Sequence, residues 1–243
     1  MRYLVVSDVH SNAPALEAVL NAAPEFDALL CLGDIVGYGP DPNTCVARLR
    51  DHELVSISGN HDAGALGQAD LSIFNHDARK ALIWTQQELA RRHQQFLAGL
   101  APHMALTDDI LLCHGSPRDP VWDYLVELTT AAQCFREYDF QTLLVGHSHL
   151  PLAFEWREDL ERARPLRVEV DGRVQLAGRR MILNPGSVGQ PRDGNPKAAY
   201  AVLDTGAMTW TFGRTAYAVK ITQERMRAQK LPQRLIDRLE IGR

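Results

Sequence analysis

The stretch RYLVVSDVHSNAPALEAVLNAA (residues 2–23) joins a short apolar run, a polar junction and an amphipathic segment. The run at 2–7 predicts a β-strand buried on both faces, because apolar side chains continue without alternation. Asn12 can accept a hydrogen bond from the first turn of a helix, and apolar residues recur after it at helical spacing. The stretch therefore predicts a strand followed at once by a helix, with Asp8 and His10 at the junction.

The same order of elements recurs over the next forty residues or so. ALLCL (28–32) predicts a second strand, PNTCVARLR (42–50) a short helix and LVSIS (54–58) a third strand. Alternating strands and helices predict an α/β fold with a parallel sheet and right-handed crossovers.

The middle of the chain mixes helices with two further strand regions. Residues 75–100 predict two helices that break near Arg92, and residues 103–114 predict a hairpin that turns at Asp108–Asp109. A helix near 129–138 precedes the strand TLLVG (142–146).

After Pro151 the pattern becomes typical of antiparallel strands. The predicted strands are LAFEW (152–156), LRVEV (166–170), RVQLA (173–177), RMILN (180–184), AAYAVLD (198–204) and AMTWTFG (207–213). A helical tail is predicted for about 222–243, interrupted at Pro232. Since no repeat, low-complexity tract or linker is evident, we expect residues 1–243 to form one domain.

Composition limits the possible functions. The 243 residues carry a net charge of -4 with no basic stripe, which argues against a dedicated nucleic-acid-binding surface. The four cysteines form no CxxC pair, and two lie in apolar runs, as expected for a reducing compartment. Neither a signal peptide nor a membrane-spanning run is evident, so we expect a cytoplasmic protein without membrane association. The oligomeric state stays open.

Polar side chains cluster where the predicted strands end. They are Asp8 and His10, then Asp34, then Asn60, His61 and Asp62, then His114, and finally His147 and His149. Each one alone could be a turn or capping residue. Carboxyl ends of parallel strands converge on one crevice, and so many carboxylates and imidazoles gathered there without a cation would be strongly destabilised. The pattern therefore predicts a metal site.

These residues form an ordered series that closely resembles the calcineurin-like metallophosphoesterase superfamily. Its motifs DxH, GDxxG, GNHD, a lone histidine and GHxH appear here in order at 8–10, 33–37, 59–62, 114 and 146–149. The resemblance extends from residue 3 to about 204. It implies a four-layer αββα fold, a two-sheet β-sandwich flanked by helices. The chain length and NPGSVGQPRDG (184–194) are most similar to the small bacterial and archaeal phosphodiesterase-like branch.

The resemblance also implies two divalent metal ions and the ligands of each. Asn60, His114 and His147 would bind one ion; Asp8, His10 and His149 would bind the other. Asp34 would bridge the two ions. Mixed oxygen and nitrogen donors without thiolate favour manganese, iron, zinc, cobalt or nickel over magnesium or calcium.

The family chemistry implied is hydrolysis of a phosphate ester by in-line attack of a metal-bound hydroxide. His61 would act as the general acid or stabilise charge in the transition state. Asp62 would orient the His61 ring, with a buried ion pair as the alternative role. NPGS (184–187) is a turn that would close one rim of the site.

The substrate is less narrowly defined. A phosphodiester or nucleotide is the first choice. A phosphomonoester, phosphoprotein or dinucleoside polyphosphate is the alternative, because GDIVGYGPDP (33–42) is similar to the protein-phosphatase branch except that Tyr38 replaces an arginine. A non-catalytic scaffold on the same fold is a third hypothesis. The candidate substrate contacts are Asn12, Arg118, Trp122 and Tyr124, the last three in the proline-stiffened loop 115–125.

Overall fold

The computed structural model describes residues 1–243 as two six-stranded sheets packed face to face with helices outside them. The strands are β1 (Arg2–Val6), β2 (Ala28–Cys31), β3 (Leu54–Ser56), β4 (His103–Thr107), β5 (Ile110–Cys113), β6 (Thr142–Leu144), β7 (Pro151–Arg157), β8 (Arg162–Pro165), β9 (Arg173–Gln175), β10 (Met181–Pro185), β11 (Ala198–Asp204) and β12 (Thr209–Thr215). The α-helices are α1 (Ala13–Ala22), α2 (Pro42–Arg50), α3 (Asn60–Ala65), α4 (His76–Glu88), α5 (Arg91–Ala98), α6 (Leu128–Glu137), α7 (Val219–Ala228) and α8 (Gln233–Ile241). The α/β sandwich implied by the resemblance is confirmed.

The predicted site residues follow parallel strands in both sheets. The first sheet has the order β3-β2-β1-β11-β12-β9, and β1, β2 and β3 are parallel, as predicted. The second sheet has the order β4-β5-β6-β10-β7-β8, with β5 and β6 parallel. On its other side β1 pairs antiparallel with β11, so that Arg2 lies opposite Asp204.

Successive side chains of a strand point to opposite faces of the first sheet, so each face packs in a different core. Leu4 and Val6 of β1 face the helices, whereas Tyr3 and Val5 face the second sheet. The core between the sheets draws apolar side chains from both and includes the fully buried Trp210. A third cluster packs α6 onto the outer face of the second sheet. These clusters hold the two sheets, and therefore their strand ends, in fixed relative positions.

Most predicted elements are present, with local differences. Asn12 caps α1, as predicted, through a hydrogen bond from the Ala15 N–H. The hairpin of β4 and β5 is present, and the break between α4 and α5 lies at Leu89–Ala90 rather than near Arg92.

The strand predicted at 166–170 is wrong. The strand in this region is β8, at Arg162–Pro165, which pairs antiparallel with β7 through a tight turn at 158–161. Glu161 in that turn has a left-handed φ of 46°. The turn fixes which residues reach the open edge of β7, so the apolar alternation of residues 166–170 does not decide the pairing.

The two C-terminal helices pack on the helical face of the first sheet. Thr222 donates a hydrogen bond to Asn12 Oδ1 (2.9 Å), and Gln223 Nε2 donates to Ile236 O (2.9 Å). Near the chain end, Gly194 N–H donates to Gly242 O (2.9 Å). None of the helices is both long and apolar enough to cross a bilayer.

Candidate metal centre

Two groups of buried side chains meet beyond the carboxyl ends of the parallel strands of the two sheets. In the first group the potential ligand atoms of Asp8, His10, Asp34 and His149 lie within 4.8 Å of one another. The second group consists of Asp34, His114 and His147, within the same limit. Asp34 belongs to both groups.

One oxygen of Asp34 lies close to a histidine of each group. Its Oδ2 lies 3.5 Å from His10 Nε2 and 3.4 Å from His114 Nε2. In the first group, His149 Nε2 lies 3.3 Å from Asp8 Oδ1 and 3.0 Å from His10 Nε2. The two groups therefore adjoin each other at Asp34.

Backbone carbonyls orient three of the imidazoles. His10 Nδ1 lies 3.2 Å from Val36 O, and His114 Nδ1 lies 2.7 Å from Leu32 O. His149 Nδ1 lies 2.5 Å from Gln190 O. A carbonyl can only accept, so Nδ1 carries a proton in each ring and Nε2 is the nitrogen that faces the centre. This is the arrangement that holds a metal-binding histidine in one tautomer.

The carboxylates follow the same rule of one anchored and one free atom. Asp8 Oδ2 accepts from Ser7 Oγ (2.7 Å), and Asp34 Oδ1 accepts from the His61 N–H (2.8 Å). The buried polar atoms left without a hydrogen bond at the centre are Asp8 Oδ1, Asp34 Oδ2, Asn60 Oδ1, His114 Nε2 and His147 Nε2. Buried polar atoms are rarely left unpaired, and every one of these is a metal-ligand type. The donor set therefore fits divalent cations.

Burial keeps most of the imidazoles neutral. It lowers the pKa of His61 to about 4 and that of His147 to about 3. It also holds the pKa values of His10 and His149 well below their usual range. A neutral imidazole can bind a metal ion, whereas an imidazolium cannot.

Asp34 and His114 behave as a pair. Burial alone would raise the pKa of Asp34, but the nearby imidazoles, above all His114, hold that pKa well below its usual range. Burial opposes protonation of His114, yet the Asp34 carboxylate raises the pKa of His114 to about 9, so a cation bound at His114 Nε2 would have to displace a proton from it. Asp34 thus stays negative at neutral pH and attracts positive charge to the junction of the two groups.

Backbone strain is concentrated at the same loops. Of the eleven non-glycine residues with left-handed φ, seven lie in or beside the site, with φ between 47° and 63°. They are Asp8, His10, Ser11, Asp34, Tyr38, His147 and His149. Each such residue costs about 1–3 kcal/mol, so the surrounding packing must hold these loops in place.

Two glycines permit close approaches that a side chain would block. A Cβ on Gly59 would lie 2.1 Å from Asp34 Oδ1. A Cβ on Gly37, which has a φ of 90°, would lie 2.5 Å from His61 Nδ1. His61 Nδ1 is therefore packed against Gly37, and Nε2 is the ring nitrogen left for the cavity that His61 lines.

Asp62 does not orient His61 directly, contrary to the prediction. Its Oδ1 accepts from the Val36 N–H (3.1 Å) and its Oδ2 from the Gly59 N–H (3.0 Å). Neither oxygen bonds to the ring, because backbone amides use both. Nor does Asp62 form the alternative ion pair; it ties the loop after β2 to the start of α3.

Asn12 and Ser187 are structural. Asn12 is buried; its Oδ1 accepts from the Ala15 N–H and from Thr222 Oγ1, and its Nδ2 donates to Gly189 O. Its amide is thus fully used within the protein, which contradicts the prediction that Asn12 contacts substrate. Ser187 Oγ donates to Asp8 O and accepts from the Gln190 N–H, each at 2.8 Å. Ser187 thus links the turn at 184–187 to the strained backbone of Asp8.

Arg118 also lies outside the cavity. Its Nη2 donates to Asp123 Oδ2 (2.8 Å) and its Nη1 to Gln133 Oε1 (3.3 Å). Arg118 therefore forms an ion pair with Asp123 and is not among the residues that line the cavity.

The two aromatic residues of the loop separate into different environments. Trp122 packs edge-on against Phe74, with ring centroids 5.1 Å apart, and contacts the helical core. Tyr124 is 50% exposed, and its ring lies 4.0 Å from that of His147. Both line the cavity beside the centre, whose volume is about 170 Å³.

Arg192 is the cavity residue that the sequence analysis missed. It lines the same cavity, together with Tyr38, Asn60, His61 and His149. The only sequence signal is its place in NPGSVGQPRDG, the loop expected to close a rim.

The chain is similar in sequence or structure to one protein family and to several individual proteins. Residues 1–208 match the model of the calcineurin-like phosphoesterase superfamily domain. The crystal structure of a metallophosphoesterase from Sphaerobacter thermophilus is 40% identical with a TM-score of 0.91, covering 100% of this chain and 99% of that one. An uncharacterized protein of Methanocaldococcus jannaschii is 36% identical over 98% of this chain and 97% of its own. Phosphodiesterase YfcE of Escherichia coli is 25% identical over 86% of this chain and 90% of its own.

We predict that Gly59→Ala will weaken metal binding at the centre. The new methyl group would collide with Asp34 Oδ1, so the shared carboxylate must move. Metal content after saturation and desalting should fall to half or less of the wild-type value. Gly206→Ala is the control, because its added methyl group meets Asp204 Oδ1 at an ordinary 3.4 Å. Wild-type metal content in Gly59→Ala would contradict the role of this close approach.

Proposed function

We propose, since the chain belongs to the calcineurin-like phosphoesterase superfamily, that it hydrolyses phosphodiesters or nucleotides with two divalent metal ions. Hydrolysis of phosphate esters follows from the family. The number of ions, the ligand assignment and the substrate are the proposal. The observation that carries it is the free oxygen of Asp34, which lies 3.5 Å from His10 Nε2 and 3.4 Å from His114 Nε2.

Each ion would have its own ligands and share Asp34. Asp8, His10 and His149 would bind one ion, because their potential ligand atoms and that of Asp34 lie within 4.8 Å of one another. Asn60, His114 and His147 would bind the other through three buried atoms without hydrogen bonds. Nitrogen and oxygen donors in this ratio favour manganese, iron, zinc, cobalt or nickel.

Bound metal ions supply a water-derived nucleophile at neutral pH and neutralise charge on the phosphate. The protein supplies position. Buried carboxylates and carbonyl-oriented imidazoles would define where the phosphate sits.

His61 would serve the leaving group. Its Nε2 faces the cavity, while Gly37 and the hydrogen bond from its backbone N–H to Asp34 fix the ring beside the centre. Its pKa is lowered to about 4, so from there the neutral ring can donate a hydrogen bond from Nε2–H, which becomes a proton transfer as charge develops on the departing oxygen.

Two features support a small phosphodiester or nucleotide over a phosphoprotein. The walls of the cavity include Phe74, Trp122 and Tyr124, so the space of about 170 Å³ beside the centre is narrow. The relative YfcE is named a phosphodiesterase. Phosphomonoesters and dinucleoside polyphosphates remain the alternative substrates. A non-catalytic scaffold is disfavoured, because all the ligand-type side chains and His61 meet at one place.

The proposed function is tested by metal-dependent hydrolysis. The metal-free protein would be reloaded separately with each of the five metals and assayed on bis(p-nitrophenyl) phosphate and p-nitrophenyl phosphate. We expect faster turnover of the diester with at least one metal. Absence of hydrolysis of both esters with every metal would refute the proposal.

Asp34→Asn should lower metal content and activity together, because an amide is a poor bridge between two cations. Elemental analysis should give at most about one ion per chain, and hydrolysis should fall at least ~100-fold, as for loss of other groups that stabilise transition-state charge. Asp108→Asn, in the exposed turn between β4 and β5, is the matched control. Two ions retained at wild-type affinity in Asp34→Asn would disprove the bridge.

His61→Ala should keep both metals and lose rate by ~10²–10⁴, the usual contribution of a general acid. The loss should be larger for a diester with a poor alkyl leaving group than for the nitrophenyl diester, since a poor leaving group needs the proton more. Elemental analysis and kcat on both substrates provide the measurements. An equal loss on both, or loss of metal, would exclude the leaving-group role.

Tyr124 is the residue we expect to stack on a nucleobase. Tyr124→Ala should raise KM for a nucleotide diester about tenfold, because base stacking contributes ~1–3 kcal/mol. A small aryl diester should be little affected, and Tyr124→Phe should behave as wild type. Trp122→Ala should instead lower Tm and affect both substrates alike, because Trp122 packs on Phe74. Parallel losses on both substrates in Tyr124→Ala would reject nucleobase stacking.

A further inference from the structure

Arg192 is a half-buried cation at the metal centre that pairs with no carboxylate. Its Nη2 donates to two neutral oxygens, Tyr38 Oη (3.4 Å) and Gln190 Oε1 (3.3 Å). Its Nε is buried and makes no hydrogen bond. Arg118, the arginine of the 115–125 loop, is instead paired with Asp123. Arg192 therefore keeps an unused hydrogen-bond donor and a positive charge without a counterion, inside the cavity that contains proposed metal ligands.

The backbone fixes Arg192 relative to a ligand of the first group. Arg192 N–H donates to His149 O (3.4 Å), and His149 Nδ1 donates to Gln190 O (2.5 Å). Gln190 also accepts from the Arg192 side chain, so the three residues form a closed set of contacts. Movement of Arg192 would therefore disturb His149, and the guanidinium is held in advance of substrate binding.

The ring of Tyr38 also supports the Arg192 guanidinium. The Arg192 guanidinium lies 6.0 Å from the centroid of the Tyr38 ring. That ring in turn lies 4.2 Å from the His61 ring and 4.6 Å from the His10 ring. Arg192 is therefore supported by the same ring that packs on His61 and on a proposed metal ligand.

A second guanidinium adds positive charge beside it. Arg238 of α8 is partly buried, and burial together with the charge of Arg192 lowers the pKa of Arg238 to about 10. Arg238 does not line the cavity, and its Nε donates a hydrogen bond to Arg243 O, so Arg192 is the cation that faces the metal ligands.

We propose that Arg192 binds a non-bridging oxygen of the substrate phosphate and holds the phosphorus in place beside the metal centre. Tyr38 and Gln190 are positioning residues that orient the guanidinium. The planar guanidinium suits this task because it can give two parallel hydrogen bonds to a phosphate. The inference rests on the proposed function, since it concerns the same phosphate, and it identifies the recognised part of the substrate as an anionic phosphoryl group.

The test measures binding of inorganic phosphate to the metal-loaded protein by calorimetry, alongside hydrolysis of the diester. Arg192→Met should weaken phosphate binding roughly ten- to hundredfold, the range expected for loss of charge-assisted hydrogen bonds. It should raise KM by a similar factor, while metal content stays at the wild-type value. Arg192→Lys should recover part of the phosphate affinity, because it restores the charge without the paired geometry. Tyr38→Phe should weaken phosphate binding by a smaller factor.

Arg118→Met is the matched control and should bind phosphate as the wild type does, because Arg118 is engaged with Asp123 outside the cavity. Wild-type phosphate affinity and KM in Arg192→Met, in a protein that hydrolyses the diester, would overturn the role of Arg192 and leave the proposed function intact. Loss of metal from Arg192→Met would also overturn it, because the residue would then support the ligands rather than the phosphate. If wild-type protein hydrolyses neither ester, it is the proposed function that fails.

Discussion

The centre depends on one constraint, the burial of negative charge on Asp34 between histidines from two different sheets. Its free oxygen approaches His10, which follows β1 of the first sheet, and His114, which follows β5 of the second. A carboxylate in this position is stable only if positive charge approaches from both sides. The relative placement of the sheets, fixed by the core around Trp210, therefore sets the geometry of the ligands. Packing far from the cavity becomes a determinant of metal binding.

The second consequence of this constraint is the strained backbone. Regular strands and helices direct side chains along fixed vectors, and these vectors do not converge on one point. Left-handed residues such as Asp8 and His147 turn the chain sharply at the strand ends and aim the ligand atoms inward. Anchors such as Ser187 and Asp62 hold these turns through backbone hydrogen bonds. The residues around the ligands are thus as specialised as the ligands themselves.

Sequence was informative where local pattern determines structure. Continuous apolar runs identified β1, β2 and β3, Asn12 marked the start of α1, and the ordered motifs identified the residues that meet at the centre. Side-chain direction in loops was not accessible in this way. Arg118 and Arg192 both lie in proline-containing loops near histidines, yet one turns to Asp123 and the other into the cavity. The strand β8 was missed for a similar reason, since a turn rather than an apolar pattern decides its pairing.

The pairing of β1 with β11 has a consequence for how the protein is made. Arg2 lies opposite Asp204, so the central strand of the first sheet gains its second neighbour only after some two hundred residues have been synthesised. Such long sequence separation slows folding, because a large loop must close before the contact forms. Until then the nascent chain exposes one edge of an apolar strand, which is a site for aggregation or chaperone binding. The loop that carries Arg192 depends on a still later part of the sequence, since Gly194 bonds to Gly242. The cavity therefore forms only once residues that are far apart in the sequence have come together.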